Sequence, residues 1–494
     1  MVFAGPTFLF YFLPLFFLGY ALIPFRWKSG WILLGSWLFY GWWRFDFLLL
    51  LVAASLGAGV IGRLIAGSST DRERRRWMII GVTAALGVLG YFKYFNFGVH
   101  SVHRLIERMG GTAPSPDTVW EVVLPVGISF FTFQIISYIV DVYRRDAEPA
   151  RSIIDVAAYV SLFPQLVAGP IVRYTEIADE LRQRKHTPEL FSRGVRRFSL
   201  GLVRKVLIAD AVAPLVTAVF TAESPGFTAA WVGVLAYTVQ IYFDFSAYSD
   251  MAIGLGLMMG FHFPENFRRP YHSRSITEFW RRWHITLSSW LRDYLYIPLG
   301  GNRLGPRRTL VNLMTVMVLG GLWHGAAWTF VAWGAWHGAW LIVERIVTVR
   351  WSARRSLPER RGPDGGDDNP QGTAVEVRKD AGTGHHRWSA LRRIYTLGVV
   401  IFGWVFFRAE SFAGAGRILS AMAGGTGGAG SVPVIPLAST GPLVALTVGV
   451  LLAAAEPRVF EDGEKRPVLL TILTVLAVAR LLAASYSPFL YFQF

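Results

Sequence analysis

The chain has 494 residues, 53% of them hydrophobic and only 17% charged, with a mean hydropathy of +0.39. That charged share is low beside the ~25% of soluble domains, and the apolar residues fall in long blocks, which rules out a disordered chain and weighs heavily against a soluble enzyme. Lys and Arg exceed Asp and Glu by 49 to 33, a net +16, which basic loops at the cytoplasmic ends of membrane helices explain without a nucleic-acid partner.

A polytopic, all-α membrane protein is therefore predicted. Segments of roughly membrane length fall at 7–24, 30–43, 46–64, 77–97, 122–143, 153–171, 199–220, 227–247, 249–263, 310–329, 330–347, 391–407, 439–455 and 467–486. Those at 30–43, 153–171 and 249–263 are short enough to be tilted or re-entrant. Such backbone survives at membrane depth only inside protein or beside a watery cavity. A large ring-like bundle around an internal cavity is thus expected. The first segment lacks a basic start and a small-residue cleavage site, so it reads as a retained helix.

Arg26 and Lys28, the run DRERRR at 71–76 and RRDAEPAR at 144–151 are separated by even numbers of spans. All three can share one face, which the positive-inside rule makes cytoplasmic, with the N-terminus outside. Segment 98–121 then lies outside and reads as a polar loop. Residues 351–390 are charged and rich in Pro and Gly, and read as a disordered cytoplasmic linker. The chain so divides into a membrane core (1–350), this linker and C-terminal transmembrane helices (391–494). A second flexible connection is expected at 424–430. His385 and His386 fall in the linker, where a metal role is disfavoured.

The absence of Cys excludes disulfides, thiolate nucleophiles and cysteine-ligated metals. No HExxH, carboxylate cluster with metal spacing or GxSxG elbow occurs, so neither a metal site nor a self-contained serine esterase is expected. Ionisable residues inside apolar runs are costly, and so are functional candidates. His324, in VMVLGGLWHGAAW, is the clearest. Gly320, Gly321 and Gly325 beside it allow close approach, and a neutral imidazole suits proton removal from a hydroxyl. The competing reading is a buried histidine bonded to a neighbouring carbonyl. His337, thirteen residues on, cannot face the same site unless the helix breaks between them, and for it a structural role is favoured.

Ser275 and Glu278 form a capping-box pattern that starts a helix near Ile276. On that helix Trp280, His284, Leu287 and Leu291 form one stripe and Arg281, Ser288 and Arg292 another. An interfacial helix and a helix at a cavity mouth with His284 facing inward both fit. Arginines crowd the stretch from Arg268 to Arg308. Lipid headgroups account for most, while Arg281, Arg282 and Arg292 are candidates for a donor's phosphates. Asp244, Asp250 and Asp141 are expected to pair with arginines on neighbouring segments.

The stretches 124–144, 163–173, 241–271, 279–301, 321–330 and 402–412 and the terminal YFQF, taken together, resemble the membrane-bound O-acyltransferase (MBOAT) family, and within it the alginate O-acetyltransferase branch. The likeness covers nearly the whole chain except 351–390 and 413–485. It implies transfer of an acyl group from a cytoplasmic thioester, with acetyl-CoA as donor substrate, towards a hydroxyl at the other face and finally a polysaccharide. It places the family's membrane histidine at His324 and the second histidine of the polymer-modifying branch at His284. It also implies a bacterial cytoplasmic-membrane location and a separate extracytoplasmic SGNH-type partner. One rival is a teichoic-acid type D-alanyl transferase fed by a carrier protein. The other is a transporter without chemistry, for which paired interrupted halves would be the sign, and none is found.

Overall fold

The computed structural model describes residues 1–112, 120–355, 384–425, 440–455 and 467–483, and every regular element among them is helical. A π-helical turn, Thr7–Phe12, runs into α1 (Leu13–Leu22), followed by α2 (Lys28–Gly41), α3 (Phe45–Gly67) and α4 (Asp71–Arg108). The Thr70 hydroxyl caps α4 by accepting from the Glu73 N–H at 3.2 Å. The predicted loop at 98–121 therefore begins late. No proline interrupts 98–108, and the helix continues until Gly110, whose φ of +78° turns the chain.

The block predicted at 122–143 is extended up to Gly127 and helical in α5 (Ile128–Arg144), which is buried along almost its whole length. The block at 153–171 is not one span. It holds α6 (Ile153–Ser161) and the single turn α7 (Phe163–Leu166), then leaves helix at Gly169 and Pro170. Next come the surface helix α8 (Tyr174–Arg182), α9 (Pro188–Val203), a π-helical turn at Arg204–Ala209 and α10 (Asp210–Thr221).

The two spans predicted at 227–247 and 249–263 are one helix, α11 (Phe227–Met258). Its polar midpoint need not break because α9 and the π turn supply its partners. Asp250 accepts from Arg197 at 2.8 Å and Arg204 at 2.6 Å, and Asp244 lies 2.7 Å from the Lys205 ammonium. The asparagine-bearing segment after α11 leads to α12 (Ile276–Trp280), α13 (Ile285–Leu291), α14 (Pro306–His324) and α15 (Trp328–Arg355). Beyond lie α16 (Gly384–Arg408), α17 (Phe412–Met422), α18 (Thr440–Ala455) and α19 (Pro467–Ala483). Helices thus enter the predicted linker from both sides. Its residues 356–383, the stretch 426–439 and the terminal YFQF lie outside the described residues, and so do the side chains of His385 and His386.

Among the described residues, Phe45–Gly67, Asp71–Arg108 and Ser389–Arg408 are long and apolar enough to cross a membrane. Thr7–Leu22, Thr440–Ala454 and Pro467–Ala483 are shorter apolar helices. Small residues bring the inner helices together. A Cβ at Gly194 of α9 would lie 2.6 Å from the Gly254 carbonyl of α11, and one at Gly321 of α14 only 2.2 Å from the Phe330 carbonyl of α15.

Two of the basic segments, 71–76 and 144–151, meet at one end. Arg74 donates to the Val142 and Tyr143 carbonyls at 3.1 and 3.2 Å, and Arg145 pairs with Asp71 at 3.4 Å.

Candidate functional site

His324 is the last residue of α14. The chain then turns through Gly325, where a Cβ would strike the Phe330 ring at 2.1 Å, so only glycine lets α15 fold back at once. The histidine is buried, with its ring 5.0 Å from Trp323, 5.1 Å from Trp333 and 5.2 Å from Phe407, centroid to centroid.

The other histidine arrives differently. The predicted stripe Trp280–His284–Leu287–Leu291 does not exist as one helix face, because α12 ends at Trp280 and α13 begins at Ile285. Between them His284 takes a left-handed conformation, φ 44° and ψ 54°, which a non-glycine residue holds only where its surroundings enforce it. Here a backbone bracket does so. Arg268 N–H donates to the Arg282 carbonyl and Ile285 N–H to the Asn266 carbonyl, each at 2.9 Å. The imidazole is completely buried against Phe245, at 4.7 Å, and its centroid lies 6.3 Å from that of His324. The structure thus brings the two candidate histidines together.

Asn266 fixes the ring of His284. Its side-chain oxygen accepts from the Thr286 N–H at 3.3 Å and the Thr286 hydroxyl at 2.9 Å, and lies 3.2 Å from His284 Nδ1. Nε2 of His284 is buried and meets no hydrogen-bonding group among the described residues.

Lys93 completes the site. It lies in α4, is buried, and donates to the Trp323 carbonyl, to the Ser129 hydroxyl at 3.1 Å and, more weakly, to the His324 carbonyl at 3.5 Å. Beside it the Tyr94 hydroxyl donates to the Leu322 carbonyl at 2.8 Å. Adjacent residues of α4 therefore satisfy the open carbonyls at the end of α14, as a helix C-terminus requires. No carboxylate pairs with Lys93 among the described residues. Lys93 and Asn266 were not singled out from the sequence. The lysine stands in GVLGYFKYFNF, an apolar run in which the cost of a charge was the available signal.

A cavity of about 320 Å³ reaches this group, lined by Trp43, Lys93, Gly127, Ser129, Trp323 and His324 among others. Gly127 is required in its wall. Its φ is +76°, and a Cβ there would meet the Leu166 carbonyl at 2.4 Å. The cavity lies towards the end of α4 away from Asp71, since Lys93 is about 33 Å along the helix from it.

Other candidates fall elsewhere. His337 does not join the pair, although the helix does break between it and His324; its ring neighbours are Phe279, Trp280, Trp333 and Trp404. Arg281 is exposed on the turn before His284. Arg282 pairs with Glu278 at 2.8 Å and Arg292 with Asp293 at 2.6 Å. Burial alone would raise the Asp293 carboxyl, but the Arg292 and Arg173 guanidiniums hold it below its ordinary range. Asp250 has the arginine partners expected of it. Asp244 pairs with a lysine instead, and Asp141 accepts from the Tyr294 hydroxyl at 2.6 Å because Arg144 and Arg145 turn away at the helix end.

Comparison with known proteins gives the family. The MBOAT, membrane-bound O-acyltransferase family matches residues 122–361, a stretch that holds Asn266, His284 and His324 but not Lys93. The chain is 43% identical to the probable alginate O-acetylase AlgI of Pseudomonas putida over the whole of both chains. It is 34% identical to the peptidoglycan O-acetyltransferase of Helicobacter pylori over 86% of this chain and 80% of that one. Likeness to the teichoic acid D-alanyltransferase of Streptococcus thermophilus is weaker, 29% over 44% of this chain and 56% of the other. With its paired buried histidines and its identity to full-length relatives, the chain belongs to the membrane-bound O-acyltransferase family and is a multi-pass membrane acyltransferase.

Proposed function

We propose that the protein moves an acetyl group from acetyl-CoA on the cytoplasmic side of the bacterial cytoplasmic membrane towards a hydroxyl at the outer face, and finally to a polysaccharide of the alginate kind. In this reading the helices form an MBOAT-like ring around the cavity, with the N-terminus outside. The observation that carries it is His324, buried in the wall of a cavity that it shares with Lys93 and placed beside His284.

The chemistry follows from the residues. His324 takes the proton of the acceptor hydroxyl as its oxygen attacks the thioester carbonyl, and returns it to the departing thiolate. The aromatic rings around His324 keep bulk water from competing with the acceptor hydroxyl. His284 orients the reactants. Arg281 and Arg282 lie on the turn that carries His284 and Arg292 follows the end of α13, and they attract the donor's phosphates. The cavity faces the end away from the basic segments, which by the positive-inside rule is the extracytoplasmic end. An acceptor, or the reactive hydroxyl of an SGNH-type partner, enters there. Acetyl is preferred over D-alanyl because full-length likeness runs to O-acetylating relatives.

The test is ester-linked acetyl on the surface polysaccharide, in a deletion strain carrying either wild type or His324→Ala at equal membrane level. Acetyl lost only with the variant is expected. Equal acetyl in both would remove His324 as the base, and D-alanyl esters without acetyl would turn the assignment to the rival donor.

A further inference from the structure

The hydrogen bonds around Asn266 fix a tautomer. The Thr286 N–H is a backbone donor, so the Asn266 atom it meets is the oxygen. The same oxygen faces His284 Nδ1 at 3.2 Å, so Nδ1 carries hydrogen and Nε2 of the neutral ring presents a lone pair. That lone pair is fully buried, with no donor among the described residues. A group in this state accepts a proton and cannot donate one to an oxyanion. The imidazoles of His284 and His324, 6.3 Å apart between centroids, are beyond a direct hydrogen bond and at a spacing that one bridging oxygen spans.

We infer that His284, held by Asn266 as a positioning residue, is the second station of a proton relay that begins at His324. This deepens the reading of His324 as base and rests on it. The acceptor hydroxyl gives its proton to one ring nitrogen of His324. The other ring nitrogen releases its proton to a bridging water, which passes one of its own to His284 Nε2. The new C–O bond forms, the C–S bond breaks, and the proton returns along the same path to the thiolate, so charge and atoms balance. The relay moves the positive charge off His324, whose own carbonyl and that of Trp323 are already held by the Lys93 ammonium. It delivers the charge to a ring whose Nδ1–H points at the Asn266 oxygen. Around His284 the described ring neighbours include Phe245, Trp323 and His324, and the charge that faces this pair is Lys93, whose ammonium lies 5.8 Å from the Trp323 ring and 3.5 Å from the His324 carbonyl.

The experiment uses membrane vesicles from the producing cells. It follows ester-linked acetyl formed from labelled acetyl-CoA by wild type, His324→Ala, His284→Gln, Asn266→Asp and Asn266→Leu, each normalised to folded protein. His284→Gln keeps an acceptor oxygen but cannot take up a proton. It is expected to lower kcat at least tenfold with little change in donor KM, and to turn a curved rate dependence on D₂O fraction into a straight one. Asn266→Asp, nearly isosteric, places a carboxylate against Nδ1–H and is expected to move the acidic limb of the kcat profile to higher pH. Asn266→Leu frees the ring and should mimic His284→Gln. Unchanged kcat, pH limb and isotope curvature in His284→Gln and Asn266→Asp, with His324→Ala inactive, overturn the relay and leave the base in place. Full activity of His324→Ala overturns the underlying reading instead.

Discussion

Two buried regions of this protein treat polarity in opposite ways. Between α9, the π turn after it and α11, each buried charge faces one of opposite sign. Asp250 lies between Arg197 and Arg204, Arg197 also reaches Glu265 at 2.7 Å, and Lys205 lies between Asp210 and Asp244. The helices there are long and continuous. Around the histidines, α12–α13 and α14–α15 are interrupted, Lys93 faces neutral acceptors, and nitrogens of His284 and His337 have no partner among the described residues. A paired charge is spent on holding the fold, whereas an unpaired one is available to a reactant. The two regions therefore set paired charges that hold the fold apart from the groups to which the proposed chemistry falls.

That division is open to attack by mutation. His324→Ala should lower transfer by about 10²–10⁴-fold while leaving the thermal midpoint of detergent-extracted protein nearly unchanged; a collapsed midpoint would erase the distinction. Asp250→Asn should do the reverse, losing on the order of 3 kcal/mol of stability by taking the carboxylate from Arg204 and leaving Arg197 with Glu265 as its carboxylate partner. The transfer rate per folded molecule should stay within about twofold of wild type, checked by normalising activity to the monodisperse fraction. Lys93→Met belongs to both regions. It strips the donor from the Trp323 carbonyl at a cost of about 1–3 kcal/mol and loosens the end of α14, so kcat and midpoint should both fall. A midpoint loss with full kcat would confine Lys93 to the scaffold. Arg281→Ala should have the smallest effect. As an exposed cation it is expected to raise donor KM by about twofold to fivefold at low salt, a difference that vanishes at high salt.

The sequence made His324 legible because it stands in an apolar run where an ionisable side chain is conspicuous, and His284 because it falls on the apolar stripe of a segment with a capping-box start. It misled on how they meet. The stripe through Trp280 and His284 assumed an unbroken helix, and helical periodicity carries no warning of the bracket that Asn266 and Arg268 make with Arg282 and Ile285, since those bonds span the loop before α12. The split of α11 into two spans was a related error. Asp244 and Asp250 look like helix-breaking polarity until Lys205, Arg197 and Arg204 are seen to answer them. Lys93 was legible and overlooked, and Asn266 was not. An asparagine among PENFRRPY has the composition of any turn, and its role becomes visible only when Thr286 and His284 converge on one oxygen.

The bracket bears on which changes of loop length the site tolerates. Residues 266–268 and 282–285 are clamped by their own backbone hydrogen bonds, so the loop between them is free of the task of aiming His284. Insertions or deletions near 269–274 should leave the two rings facing each other, whereas one residue added between Trp283 and Thr286 should turn the imidazole away. Remodelling of the segment 269–274 should therefore leave in place the two rings that the proposed reaction uses.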